Sequence, residues 1–157
     1  SMLMRGYHGL TSRDVLAVRL WLDALWGTIP LEELARGGDL RVTRMIGHSR
    51  SMRGIPWGRV HAPFKAMASL EYRRRLMRFA RQGKRPILVH WSFFAETGRG
   101  WQQADDEGRT AWSVGGGPRF VLGPGVVIRI DTAYSPMAAD LTPGPFSGFY
   151  VDLNEAF

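Results

Sequence analysis

The chain has no cysteine, which excludes disulfide staples, thiolate metal sites and cysteine nucleophiles. It has no apolar run of about 20 residues, so none of its segments is expected to cross a membrane as a helix. Ser1-Met2-Leu3-Met4-Arg5 leads into no apolar h-region, so no secretory signal is read, and Ser1-Met2 reads as an arbitrary boundary. No serine sits in a G-x-S-x-G elbow, and His8, His48, His61 and His90 lack metal-ligand spacing. Acidic residues are the scarcer sign: 14 Asp and Glu stand against 21 Lys and Arg, a formal charge of +7 in 157 residues. The basic residues are scattered, many singly between apolar neighbours, unlike the stripe of a nucleic-acid binder. The expectation is a chain that is not an enzyme, with no cofactor, no metal and no nucleic-acid partner.

What is there is alternation. Leu16, Val18, Leu20, Leu22, Ala24 and Trp26 fall on one side, and Ala17, Arg19, Trp21, Asp23 and Leu25 on the other. Between Phe64 and Leu76, Ala66, Ala68, Leu70 and Tyr72 oppose Lys65, Met67, Ser69, Glu71 and Arg73. Over 87–96, Ile87, Val89, Trp91, Phe93 and Ala95 oppose Leu88, His90, Ser92, Phe94 and Glu96. The pattern recurs over 112–120, 126–134 and 148–157, and a weaker strand fits Met2 to Gly9. Period two is the signature of strands, and the count is six or seven of roughly 9–13 residues. Propensity alone favours a basic amphipathic helix over 66–80, but the shared length and alternation of the neighbouring segments favour a strand.

Connections alternate between tight and long. The longest, 27–63, is rich in Gly and Pro and holds at most one short helix near Leu31 to Arg36; loops of that length are usually functional or disordered. The glycines of GGGPRF at 115–120 are read as room for close packing on a curved sheet. Asp105-Asp106-Glu107 reads as a solvated loop. Arg73-Arg74-Arg75 with Arg78, Arg81, Lys84 and Arg85 surrounds a turn, as a solvated rim or a contact for acidic lipid headgroups or phosphate at an interface.

In a soluble sandwich the face opposite the core meets water as Lys, Glu, Thr and Ser. Here the second face is mixed, with single charges among Gly, Ser and aromatic residues. Trp and Tyr gather towards strand ends at Trp26, Tyr72, Trp91, Trp112 and Tyr134. A membrane β-barrel has this arrangement, with lipid-facing apolar residues, a polar lumen and aromatic girdles; a soluble barrel can mimic it. The expected fold is all-β, an antiparallel transmembrane β-barrel segment occupying 1–157. Seven strands do not close a standard membrane barrel, so a larger barrel is expected. The barrel reading turns Arg19, Asp23, Glu71, Arg73, Glu96, Arg119, Arg129, Asp131 and Asp152 inward, where charges need partners.

Several segments, in order, resemble the C-terminal barrel of the BamA/TamA outer-membrane assembly and translocation superfamily, the bacterial surface antigen domain. Met52-Arg53-Gly54-Ile55, extended by Pro56-Trp57-Gly58-Arg59, is similar to the family's Val-Arg-Gly-Phe/Tyr lid-lock motif. Ala68-Ser69-Leu70-Glu71-Tyr72-Arg73 resembles its Asn-x-Glu-Leu-Arg strand, and Phe94-Ala95-Glu96-Thr97-Gly98-Arg99 its Phe-x-Asp-x-Gly-Arg strand end, with Glu for Asp. GGGPRF, VIRIDTAYSP and GFYVDLNEAF resemble the last three strands, and the likeness runs from about Val15 to Phe157.

The resemblance implies that 27–63 is an extracellular loop folded back into a 16-stranded barrel. Arg53 would pair with Glu96 on the inner wall, beside Phe94, Glu71 and Arg73, and Gly54 would let the backbone approach closely. Met52 and Ile55, replacing Val and an aromatic, imply looser packing around the lock. Tyr150, Leu153 and Phe157 would form the C-terminal assembly signal. The implied function is insertion of β-barrels or translocation of polypeptides at the bacterial outer membrane. Implied partners are outer-membrane lipid, unfolded barrel or secreted polypeptides, and absent N-terminal strands with POTRA-type domains. Alternatives are the barrel anchor of a secreted enzyme such as a patatin-like lipase, and a small soluble all-β ligand-binding domain. The lock further implies that Arg53 tolerates replacement far less than Arg59.

Overall fold

The alternating segments form one antiparallel meander. A computed structural model of the chain describes residues 1–30, 46–56, 60–81, 84–102, 109–123, 126–136 and 148–153. Its strands are β1 (Met2–Gly9), β2 (Asp14–Ala24), β3 (Phe64–Arg81), β4 (Lys84–Trp101), β5 (Arg109–Gly123), β6 (Val126–Tyr134) and β7 (Gly148–Leu153). They form a single seven-stranded sheet in chain order, with β1 and β7 as its two edges. The all-β antiparallel expectation holds; closure into a barrel does not occur within this sheet. The connections at one end are 10–13, 82–83 and 124–125, and those at the other are 25–63, 102–108 and 135–147. Short turns and long loops therefore segregate to opposite ends.

The sheet is inside-out relative to a soluble core. Along β2, Ala17, Arg19, Trp21 and Asp23 are buried, while Val18, Leu20 and Leu22 are exposed. The same parity buries Lys65, Ser69 and Glu71 on β3, Ser92, Phe94 and Glu96 on β4, and Arg129 and Asp131 on β6. Leu70, Phe93, Trp112, Val114, Phe149 and Val151 lie on the exposed outer face. Because side chains alternate at every residue, one register determines both sets.

What covers the buried face is the stretch made of residues 46–56 and 60–62. Ile46, Met52, Ile55 and Val60 from it pack with Trp21 of β2, Met67 of β3 and Ala111 of β5 into one cluster. Each large side chain so buried contributes about 1.5–3 kcal/mol. Met52 and Ile55 are 0% and 1% exposed. The flexible Met side chain fills the space and lies against Gly98.

Several boundaries differ from expectation. β3 and β4 each run 18 residues, beyond the roughly 9–13 expected, because irregularities between Arg75 and Met77 and between Phe79 and Arg81 let their pairing continue to the turn. Tyr72 and Trp91 consequently lie within strands rather than at strand ends. The helical alternative over 66–80 gives way to pairing of β3 on both sides, with β2 and β4. The short helix near 31–36, Asp105 to Glu107, Arg59 and Phe157 fall outside the described residues. At Gly115, Gly116 and Gly117 a Cβ would meet the carbonyl oxygens of Thr132, Ser92 and Ile130 at 2.1, 2.5 and 1.8 Å. Close strand approach, not ligand cradling, accounts for these glycines.

Candidate functional site: a buried arginine lock

Two glycines shape the inward segment. Gly47 and Gly54 have φ of +103° and +82°, a region costly for residues with a Cβ. A Cβ on Gly47 would meet the Pro56 carbonyl oxygen at 2.2 Å. Between them, the Ser51 amide donates to the His48 carbonyl and the His48 amide to the Met52 carbonyl, each at 3.1 Å. This compact bend presents Arg53 to the wall.

The Arg53 side chain is fully buried and meets carboxylates from three strands. Its Nε and Nη2 donate to Glu96 Oε1 at 3.1 and 2.7 Å. Nη2 also donates to Glu71 Oε2, and Nη1 to Asp131 Oδ2, both at 2.9 Å. The Arg53 amide donates to Glu96 Oε2 at 2.6 Å, so one carboxylate holds both the backbone and the side chain. The guanidinium carbon lies 3.4 Å from the Phe94 ring centroid, a stacked cation–π contact that lysine reproduces poorly. Burial alone would lower the Arg53 pKa; Glu96, Glu71 and Asp131 reverse that and hold it above its ordinary value.

Further arginines keep those carboxylates in place. Arg119 bridges Glu71 Oε1 at 2.9 Å and Asp131 Oδ1 at 3.1 Å, and also contacts Ser92. Arg73 Nε donates to Glu71 Oε1 at 2.7 Å, and Ser69 to Glu96 Oε1 at 3.0 Å. Buried carboxylates are tolerable when their lone pairs are used in this way.

The rest of the segment is held through its backbone. Arg19 Nη1 donates to the Arg50 carbonyl at 2.8 Å, with Nη2 on that of Ser51. Arg129 Nη2 reaches the Ser49 carbonyl at 2.7 Å and Asp152 at 3.1 Å. Ser49 and Arg50 close on Asp152 at 2.8 and 2.9 Å, which raises the Arg50 pKa. The Gly54 amide donates to the Tyr150 hydroxyl at 2.8 Å. Contacts from β2, β3, β4, β6 and β7 thus converge on residues 49–54.

No family model, curated protein or solved structure matches this chain. The site is therefore read from its own geometry. Met52, Arg53, Gly54, Ile55, Phe94, Glu96, Glu71 and Arg73 are brought together. Tyr150, assigned from sequence to a terminal signal, faces inward onto Gly54, whereas Leu153 lies on the outer face, 61% exposed. Sequence reasoning turned Asp131 and Arg119 inward but did not join them to Arg53; their parity was the available signal. Among the described residues no group of three or more His, Cys, Asp or Glu is placed to hold a metal. Glu71, Glu96 and Asp131 are engaged by guanidinium groups, and through Arg53 they hold the inward segment against the sheet.

Proposed function

We propose that this chain is the C-terminal part of an outer-membrane β-barrel of the BamA/TamA type, which inserts β-barrel proteins or passes polypeptides across the outer membrane. The carrying observation is Arg53, on a glycine-bent inward loop, shared by Glu96, Glu71 and Asp131 of the wall. The inside-out sheet and the segregation of short turns from long loops support the same reading. In this reading lipid would cover Leu20 and Phe93, which are 45% and 58% exposed.

In this reading the long loop 27–63 is extracellular and its 46–56 bend plugs the lumen. The lock stiffens the wall of β3, β4 and β6 while leaving the edges β1 and β7 free to pair. Upstream strands would occupy those edges, since an unpaired edge in hydrocarbon leaves backbone groups unsatisfied. Substrate strands or polypeptides would then be handled at the seam, with no covalent chemistry.

The test uses an antibody against β7 on fractionated native cells, with apparent size read with and without boiling. A membrane band well above the 17.7 kDa of this chain that shifts on heating supports the proposal. A soluble band near that size with no heat shift refutes it.

A further inference from the structure

Strand β3 outruns its neighbour β2. β2 pairs with β3 only from Ala24 opposite Phe64 to Asp14 opposite Arg74, whereas β3 continues to Arg81. The extra residues of β3 form the free edge of a ribbon on the short-turn side, whose other strand, β4, stays paired with β5 as far as Leu88 opposite Val121. An 18-residue strand spans about 60 Å, whereas a tilted membrane strand needs about 9–11 residues. The base of the ribbon is braced by the 10–13 turn: the Arg75 amide donates to the Arg13 carbonyl at 2.8 Å, and Arg75 Nη2 to the Ser12 carbonyl at 3.1 Å.

The bulge sorts the ribbon into two faces. Directly opposed residues in a sheet share a face. Arg75 opposes His90 and Met77 opposes Val89, so Leu76 is the inserted residue. After it, Met77 and Phe79 align with Val89 and Ile87, on the face that carries Trp91 and Phe93; Arg78 aligns with Leu88 on the other. Without the insertion, Arg78 would take the apolar face and Phe79 the basic one. Met77 and Phe79 are 52% and 53% exposed, and no acidic residue occurs between Arg73 and Pro86.

We infer that this ribbon is an anchor for anionic phospholipid headgroups. Met77, Phe79 and Ile87 enter the apolar boundary of the membrane, and Arg74, Arg75 and Arg78 pair with headgroup phosphate. Arg75 and Arg78 lie on the face opposite Met77 and Phe79, while Arg74, opposite Trp91, borders the apolar face itself, from which a long cationic side chain reaches headgroups as in interfacial elements. The apolar face continues that of the sheet, so one lipid surface meets both. An added polypeptide strand is disfavoured, because a bulge and arginines are the means by which edges resist strand addition. The inference rests on the membrane reading above.

The test exploits the lack of native cysteine. Full chains carrying Phe79→Cys or, as reference, Leu70→Cys on the outer sheet face are labelled with a polarity-sensitive fluorophore. They are refolded into phosphatidylcholine vesicles with or without phosphatidylglycerol. The expected result is a label at 79 that enters an apolar setting only with phosphatidylglycerol and loses it in high salt. In the background Arg74→Gln, Arg75→Gln and Arg78→Gln that response should weaken roughly 100-fold, about fivefold per arginine. The matching triple Lys variant should restore it, while the label at 70 stays lipid-buried throughout. A label at 79 indifferent to phosphatidylglycerol, with 70 buried, overturns the inference alone. So does equal shielding by soluble polyglutamate, which would assign the ribbon to an acidic polypeptide. A label at 70 that reads water in every vesicle overturns the membrane reading as well.

Discussion

Replacing Arg53 by Ala removes the cation shared by Glu71, Glu96 and Asp131, all within 2.9 Å of its guanidinium. Arg119 still bridges Glu71 and Asp131, whereas Glu96 is left with the more distant Arg19, at 3.8 Å, and the neutral Ser69 hydroxyl and residue 53 amide. Breaking a buried pair from one side costs about 3–5 kcal/mol. That corresponds to roughly 10²- to 10⁴-fold in the equilibrium between docked and released loop. Arg50 is an internal control, because it pairs with Asp152 at 2.9 Å but its side chain is 48% exposed. Solvent screening limits such a pair to about 0.2–1 kcal/mol. Arg53→Lys should lose an intermediate amount, since one ammonium cannot fork across three carboxylates or stack on Phe94. Urea titration of the detergent-refolded chain gives the stability, and limited proteolysis within 46–56 reports release of the loop. Equal tolerance of Arg53→Ala and Arg50→Ala, both below about 1 kcal/mol, would refute the reasoning.

Gly54→Ala should destabilise the docked loop by about 1–3 kcal/mol, because φ is +82° and the new Cβ would lie 3.2 Å from that of Ala133; the same proteolysis assay reads it. Tyr150→Phe strips the Gly54 amide of its acceptor and should cost about 1–3 kcal/mol in urea titration, whereas Leu153→Ala on the outer face should leave loop release unchanged. Leu20→Arg, on the exposed face of β2, should weaken folding into vesicles by about 2–4 kcal/mol at mid-bilayer depth. No loss of vesicle folding with that variant would count against a lipid-facing surface.

Local chemistry made much of this protein legible. Alternation is carried by neighbouring residues, so the strands and the two side-chain sets of each could be read off directly. The inward set containing Arg19, Glu71, Glu96, Arg129 and Asp131 followed from parity, since a strand cannot turn one of its charges without turning the others. The extent of β3 and β4 was not legible, because a bulge at Leu76 breaks the local period that identifies a strand.

The lock itself divides along the same line. Arg53, Glu96 and Phe94 were recognisable as motif residues, and Gly54 as a point of close approach. That Arg53 also engages Glu71 and Asp131, and that Tyr150 turns in to meet Gly54, depends on bringing β3, β4, β6 and β7 around one loop. Those contacts join residues up to 96 positions apart, and no local pattern encodes such distances. The sequence by itself determined which side chains share a face. Only the tertiary structure decided which face is covered, because that depends on where the 46–56 segment folds.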